Sequence, residues 1–294
     1  MKILITGSSG FLGSILYNSL IINNDVYTLN RKTGDYQINL ANKIPSFKVK
    51  FDLIIHCAGI AHDMNTHCNN YFKTNVIGTQ NLLSALTSYQ IPQQIIYISS
   101  VSVYGLTKGE FINESFELLA EDAYGISKII SERILQEWCN NNDVCCTILR
   151  LPLIAGFNPP GNLNNMISFI KKGLYFNIDG GTARKSIVLG KDIATHIPFF
   201  INKNGIYNLT DGYHPTFFEL SNYYKKIFNS NRIYNMPLFI AKILAKIGNH
   251  FNKNFPINDI KMLKITSNLT FSDLKAREIL NWNPTKVLDD SFFD

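Results

Sequence analysis

The stretch Thr6-Gly7-Ser8-Ser9-Gly10-Phe11-Leu12-Gly13 constrains the fold most, because it follows a short apolar strand pattern at 3–6 and opens a helical pattern at 11–22. A pyrophosphate held at a helix N-terminus needs free backbone N–H groups and close backbone approach. Gly7 can make the tight turn, Gly10 removes the side chain that would face a phosphate, and Gly13 lets helix and strand pack closely. A glycine triplet alone is a weak signal. Inside a β-α-β unit it predicts a dinucleotide site, with Gly7, Ser9, Gly10, Phe11, Leu12 and Gly13 as the contacts.

The unit is present. Further strand patterns at 26–29, 53–57, 95–99 and 147–150 are short, apolar and largely β-branched, as expected of strands buried on both faces. Helical patterns at 71–89 and 125–140 lie between them. This alternation predicts an α/β fold, a doubly wound parallel Rossmann sheet with its ligands at the carboxyl edge of the strands. After Pro152 the pattern changes. Gly, Pro and Asn gather at 156–165, helical patterns follow at 166–172, 217–228 and 238–251, and one strand pattern lies at 206–209. The expected division is a dinucleotide-binding domain at 1–150 and a smaller, mostly helical substrate domain at 151–294, with segments returning to the sheet.

Composition narrows the function classes. The 294 residues are 46% hydrophobic, enough for a large core, and no apolar run reaches the roughly eighteen residues of a membrane span. The N-terminus lacks the charged start and cleavage site of a signal peptide, so a cytoplasmic protein is expected. The five cysteines have no C-x-x-C spacing, and neither a disulfide framework nor a metal site is predicted. The net charge of +6 suits phosphate ligands, but no basic cluster is dense enough for nucleic acid.

Two further sites follow from the residues. The second strand ends at Asn30-Arg31-Lys32, where an acid would bind ribose hydroxyls and repel a 2′-phosphate. Its absence favours NADP over NAD, with Asn30 and Arg31 at the adenosine ribose. In Tyr124-Gly125-Ile126-Ser127-Lys128, Tyr124 and Lys128 share a helical face, so the ammonium is expected to lower the phenol pKa and make it an acid/base group. The strand 95–100 ends in hydroxyls at the ligand edge, and Ser100 can bond the oxygen that Tyr124 serves. His62 and His67 are read as loop histidines. The apolar stretch 237–251, with Lys242, Lys246 and His250 interspersed, is read as packing on the body or on a partner subunit, with a membrane-surface role as the alternative.

With these pieces in order, the chain resembles the extended short-chain dehydrogenase/reductases, the NAD-dependent epimerase/dehydratase family of sugar-nucleotide enzymes. The matching motifs are T-G-S-S-G-F-L-G at 6–13, H-C-A-G at 56–59, N-V-I-G-T at 75–79, I-S-S-V-S-V-Y-G at 98–105, Y-G-I-S-K at 124–128 and L-R-L-P at 149–152. The resemblance implies a catalytic set of Ser100, Tyr124 and Lys128, with Lys128 also on the nicotinamide ribose. It implies that Ala58 and Gly59 line the cofactor, that Asn75 sits beneath the site and that Pro152 lies near the nicotinamide. Ser100 and Ser102 would meet the sugar, and Arg184 or Lys185 the diphosphate. Dehydratases of this family carry Asp-Glu after the hydroxyl residue. Val101-Ser102 stands here instead, which argues against dehydration. A narrower similarity, carried by Ile60-Ala61-His62-Asp63-Met64 and 161–176, is to bacterial 4-reductases of UDP-4-keto-6-deoxy-N-acetylhexosamines. The expected function is therefore reduction of a UDP-linked keto sugar in polysaccharide biosynthesis, with a UDP-sugar 4-epimerase as the alternative and a non-catalytic dinucleotide sensor as the reading from another class. A homodimer through 71–89 and 125–140 is expected.

Overall fold

The computed structural model describes residues 1–61, 67–230, 232–250 and 258–289. Its core is a seven-stranded, wholly parallel sheet. The strands are β1 (Lys2–Thr6), β2 (Asp25–Asn30), β3 (Tyr36–Gln37), β4 (Leu53–His56), β5 (Gln94–Ser100), β6 (Cys145–Leu151) and β7 (Gly205–Asn208). Their spatial order is β7-β6-β5-β4-β1-β2-β3. The first crossover is α1 (Phe11–Leu20). The next is α2, which comprises Cys68–Tyr71, a π-helical turn at Phe72–Ile77 and Gly78–Tyr89. The third, α3, spans Ala123–Asn141.

Period-two alternation within the strands supplies both faces of the sheet. Ile3, Ile5, Ile55 and Ile96 join Leu12, Leu16 and Leu20 of α1 on one side. Leu4, Ile54, Ile95 and Ile148 join Leu82, Leu83 and Leu86 of α2 and Leu135 of α3 on the other. The i, i+4, i+8 spacing of Leu12, Leu16 and Leu20 gives α1 its buried stripe. Each such leucine, fully buried, stabilises the fold by about 1.5–3 kcal/mol.

Beyond β6 the chain forms α4 (Gly161–Lys171), α5 (Gly190–His196), α6 (Phe217–Ile227), α7 (Leu238–His250), α8 (Asp259–Thr266) and α9 (Leu274–Leu280). Three parallel two-stranded ladders accompany them: Leu153–Ala155 with Ile187–Leu189, Phe176–Ile178 with Tyr234–Met236, and Gly109–Ile112 with Leu269–Phe271. These ladders and β3 were not anticipated, because they are two to four residues long and carry no apolar run of roughly four residues or more bounded by turn signals. Strand β7 pairs with β6 and closes one edge of the sheet, as the pattern at 206–209 predicts. Helix α4 starts five residues earlier than its apolar pattern, because Gly161, at φ 67°, turns the chain into the helix ahead of its first apolar residue, Leu163.

Candidate active site

All seven strands run the same way, so the turns after β1, β4, β5 and β6 lie at one edge of the sheet. Gly7 has φ 73°, and a Cβ there would stand 2.8 Å from the Ala58 backbone. Only glycine allows the first turn to approach the β4 turn this closely. A Cβ on Gly13 would run into the Gly7 carbonyl oxygen. Gly10 begins α1 without a side-chain cap, and the first turn of the helix carries no acidic residue. That arrangement leaves the N–H groups of the first turn facing the loop, which fits a bound pyrophosphate.

Asn30 ends β2. Its carboxamide accepts the Ser9 N–H at 3.0 Å and donates to the Ser8 hydroxyl at 2.8 Å, and the residue is buried. It braces the glycine turn, a contact that the sequence pattern does not disclose. Arg31 and Lys32 are exposed beside it. The Asp35 carboxylate accepts both the N–H and the hydroxyl of Thr28, at 2.8 and 2.9 Å, and so holds the loop after β2 against its own strand.

Ser100 ends β5 and caps the 3₁₀ turn Val101–Tyr104, its hydroxyl accepting the Ser102 N–H at 3.1 Å. The Ser100 hydroxyl also lies 3.1 Å from that of Ser102 and hydrogen-bonds the Tyr124 phenol. Asp122 caps α3 through the Gly125 N–H and thereby starts the helix that presents Tyr124 and Lys128 on one face. The Lys128 ammonium is buried. It donates to the Ile98 carbonyl at 2.8 Å and the Tyr97 hydroxyl at 3.1 Å. Gly59 borders the same space: a Cβ there would be 3.0 Å from Asn75 Oδ1 and 3.6 Å from Lys128 Nζ. Pro152 is half-buried at the break between β6 and the strand Leu153–Ala155.

The electrostatics correct one expectation. Lys128 and Ser100 do pull the Tyr124 pKa down, but burial of the phenol outweighs them and its net shift is upward. Burial likewise lowers the Lys128 pKa, opposed by Tyr124, Glu132 and Cys57. Helical spacing discloses the neighbouring cation but not the depth of the site, and desolvation works against phenolate and ammonium alike.

Asn75 was expected beneath the site from the resemblance, whereas the roles of His56, Glu132 and Arg150 behind it were not foreseen. Asn75 lies in the π-helical turn and is buried. Its carboxamide accepts the Ile60 N–H at 2.8 Å and donates to the Ile60 carbonyl at 3.2 Å and the Ser127 hydroxyl at 2.9 Å, clamping the β4 turn to α3. His56 carries a second clamp. The Thr6 hydroxyl accepts the Ala58 N–H and lies 2.6 Å from His56 Nδ1, while Thr79 donates to the Asn75 carbonyl and lies 2.9 Å from His56 Nε2. These roles fix a neutral imidazole with the proton on Nε2. Burial, with Lys128 next in effect, pushes its pKa down to about 3. Deeper still, Arg150 and Glu132 pair at 2.7 Å with both side chains buried, and Ser99 donates to the same carboxylate. The sequence traces of this layer are the Ser127/Ser131 and Lys128/Glu132 spacings, each i, i+4, and the presence of His56, Asn75, Thr79 and Arg150 within the matched motifs.

The two predicted diphosphate residues separate. Arg184 is exposed and donates to the His214 carbonyl at 3.0 Å. Lys185 is buried, donates to the Ser267 carbonyl at 2.9 Å, and has its pKa lowered to about 8 by burial and by Lys264. His67 is exposed at the start of α2, and His62 lies outside the described residues. Among the described residues no cluster of three or more His, Cys, Asp or Glu could hold a metal ion, and no helix is long and apolar enough to cross a membrane.

A parallel sheet with a glycine turn after β1 and a Ser-Tyr-Lys cluster at its carboxyl edge is the arrangement of a dinucleotide-dependent enzyme of the short-chain dehydrogenase/reductase type. Residues 3–210 match the NAD dependent epimerase/dehydratase family, and the chain belongs to it. It is an NAD(P)-dependent enzyme related to those acting on nucleotide sugars. An N-acetyl-α-D-glucosaminyl-diphospho-ditrans,octacis-undecaprenol 4-epimerase of Escherichia coli O157:H7 is 26% identical over 265 residues, covering 87% of this chain and 74% of the relative. A UDP-glucose 4-epimerase of Vibrio cholerae is 23% identical over 99% of this chain and 93% of its own. The crystal structure of UDP-glucuronic acid 4-epimerase from Bacillus cereus in complex with NAD superposes with a TM-score of 0.78 at 18% identity, over 99% of this chain and 94% of that one, a likeness of fold.

Proposed function

We propose that the enzyme is a 4-epimerase of a diphosphate-linked hexose, using Ser100, Tyr124 and Lys128. The juxtaposition of the Tyr124 phenol with the Ser100 hydroxyl and the Lys128 ammonium at the sheet edge carries this reading. The relatives named above as 4-epimerases, matched over most of the chain, favour it over the 4-keto reductase expected from sequence. Val101-Ser102 in place of an Asp-Glu pair leaves no residues for dehydration at that position.

In this reading residues 1–150 would carry the cofactor, with Gly7, Ser9, Gly10, Phe11, Leu12 and Gly13 against the pyrophosphate and Ala58, Gly59 and Asn75, joined by Pro152 from just beyond, around the nicotinamide. The bound dinucleotide supplies reversible hydride acceptance at C4. Tyr124 takes the proton of the 4-hydroxyl and returns it after the keto sugar has turned. Ser100 holds the same oxygen, and Ser102 orients Ser100. Lys128 holds the nicotinamide ribose and stabilises phenolate as it forms, offsetting the desolvation that otherwise keeps Tyr124 protonated. Residues 151–294 carry the sugar, with Lys185 and its neighbour Lys264 offering positive charge to the diphosphate. A homodimer through α2 and α3 belongs to the same proposal.

The test is NMR of the purified enzyme with catalytic cofactor and a panel of UDP-hexoses and their N-acetyl forms. Conversion of one sugar to its 4-epimer, with no net change in reduced nicotinamide, is expected. Stoichiometric NADPH oxidation with a UDP-4-keto-6-deoxy sugar, and no epimerisation, would restore the reductase. For the cofactor, exposed Arg31 and Lys32, with Asn30 in place of an acid at the end of β2 and Asp35 engaged by Thr28, favour NADP. Arg31→Asp should then weaken NADP much more than NAD in a binding titration, whereas an unchanged preference would assign NAD.

A further inference from the structure

Helix α7 (Leu238–His250) has two unlike faces. Its inner face, Leu238, Ala241 and Ala245, packs on Phe176, Met236, Met262 and Ile265. Its outer face presents Phe239, Ile240, Ile243 and Ile247, which are 65%, 38%, 57% and 45% exposed. At 100° per residue these four side chains span about 100° of the helix surface, and Lys242 and Lys246 lie along one border of that arc. Tyr234, just ahead of the helix, is also exposed, as is Arg232. A soluble surface helix would place polar residues where these four stand.

The charge around this face is mostly positive. Among the described residues α7 carries Lys242 and Lys246 and no acid, and α8, packed on it, carries Lys261 and Lys264 against Asp259 alone. An isologous contact with a second copy would set this positive excess against its own image. A surface that is apolar and negatively charged answers both features.

We infer that α7 is an interfacial helix that seats the enzyme on an anionic phospholipid bilayer, with Phe239, Ile243 and Ile247 in the headgroup–acyl boundary and Lys242 reaching the phosphates. Lysine at the edge of an apolar stripe, with an aromatic residue nearby, is the pattern of helices that lie in the membrane plane. The helix is joined to the substrate side of the molecule. α7 packs on α8, α8 leads to Ser267 and Asn268, and these accept hydrogen bonds from Lys185 Nζ and the Arg184 N–H. A bilayer under α7 is thus one helix removed, along the chain, from the cations proposed for the sugar diphosphate.

Flotation of the full chain with vesicles tests this without turnover, so its outcome is separate from that of the epimerase reading. The protein should float with vesicles of equal phosphatidylglycerol and phosphatidylcholine, float far less with phosphatidylcholine alone, and detach as salt rises. The double variant Phe239→Ser/Ile243→Ser should lower the partition coefficient at least about tenfold, with the thermal melt retained because both side chains are exposed. Should that variant fail to fold, Lys242→Glu alone should still weaken binding to the anionic vesicles. Wild type that stays at the bottom of the gradient with anionic vesicles would overturn the inference, as would variants that float equally well. A wild-type dimer that the serine variant converts to monomer, with no vesicle binding by either, would assign the face to a second copy.

Discussion

Tyr124 is pulled in opposite directions: upward by burial, and downward by the Lys128 charge and the Ser100 hydrogen bond. A residue so placed is protonated at rest and depends on its neighbours to release the proton. Tyr124→Phe removes one oxygen and leaves the packing against Tyr71 in place. Turnover should fall at least about a hundredfold while cofactor affinity and melting temperature hold, and a variant that keeps most of its activity would remove Tyr124 from the chemistry. His56 yields a prediction of a different kind. Its pKa is about 3 in the fold against an ordinary 6.5, so the unfolded chain binds the proton that the native chain refuses. The stability tied to neutral His56 is therefore complete above about pH 6.5 and is lost as pH falls toward 3, at up to about 1.4 kcal/mol per pH unit. His56→Gln should be less stable than wild type at pH 7, yet lose less on going from pH 7 to 4 in urea titrations. Parallel pH profiles of the two proteins would show that His56 is not the group concerned.

The glycine turn and α1 show how far local sequence reaches. The strand, turn and helix at 2–20, the Tyr124–Lys128 face and the hydroxyl end of β5 were all legible, because each rests on spacing of 3.6 or 2 and on glycine at fixed offsets. The partners that hold these pieces in place were not. Asn75 contacts Ile60 and Ser127, fifteen and fifty-two residues away, and Asn30 turns back twenty-one residues to Ser9. A side chain's direction at the end of a strand depends on the loops beside it, which periodicity does not describe. Burial was the other quantity out of reach, and it reversed the net shift expected for Tyr124. The close approach of the β1 and β4 turns gives a direct check. Gly7→Ala places a Cβ 2.8 Å from the Ala58 backbone at φ 73°. The variant should lose at least about 1 kcal/mol of stability and bind dinucleotide more weakly, both measurable by thermal melts with and without cofactor. Unchanged melts would mean that the turn has room to spare.

On the scale of the molecule, parallel strands bring residues from four turns to one edge, and a buried polar layer holds that edge in place. The Arg150–Glu132 pair, Ser99 and the Tyr104–Asn208 bond tie β5, β6, β7 and α3 together directly behind Ser100. Removing one partner leaves a buried charge alone and should cost about 3–5 kcal/mol, so Glu132→Gln should unfold at markedly lower urea than wild type. Unchanged unfolding would mean that water replaces the lost charge. The second half adds Lys185 and the cationic, apolar helix α7 to the sheet core. In the proposed epimerisation a hydride leaves C4 and returns to the same carbon while Tyr124 exchanges only the oxygen-bound proton. Running the enzyme in ordinary water on a UDP-hexose that it converts in the NMR panel, labelled with deuterium at C4, tests this most directly. After many turnovers both 4-epimers should retain the label at C4, with no net change in reduced nicotinamide. Loss of the label to solvent, or its disappearance into an equivalent of oxidised or reduced cofactor, would contradict it.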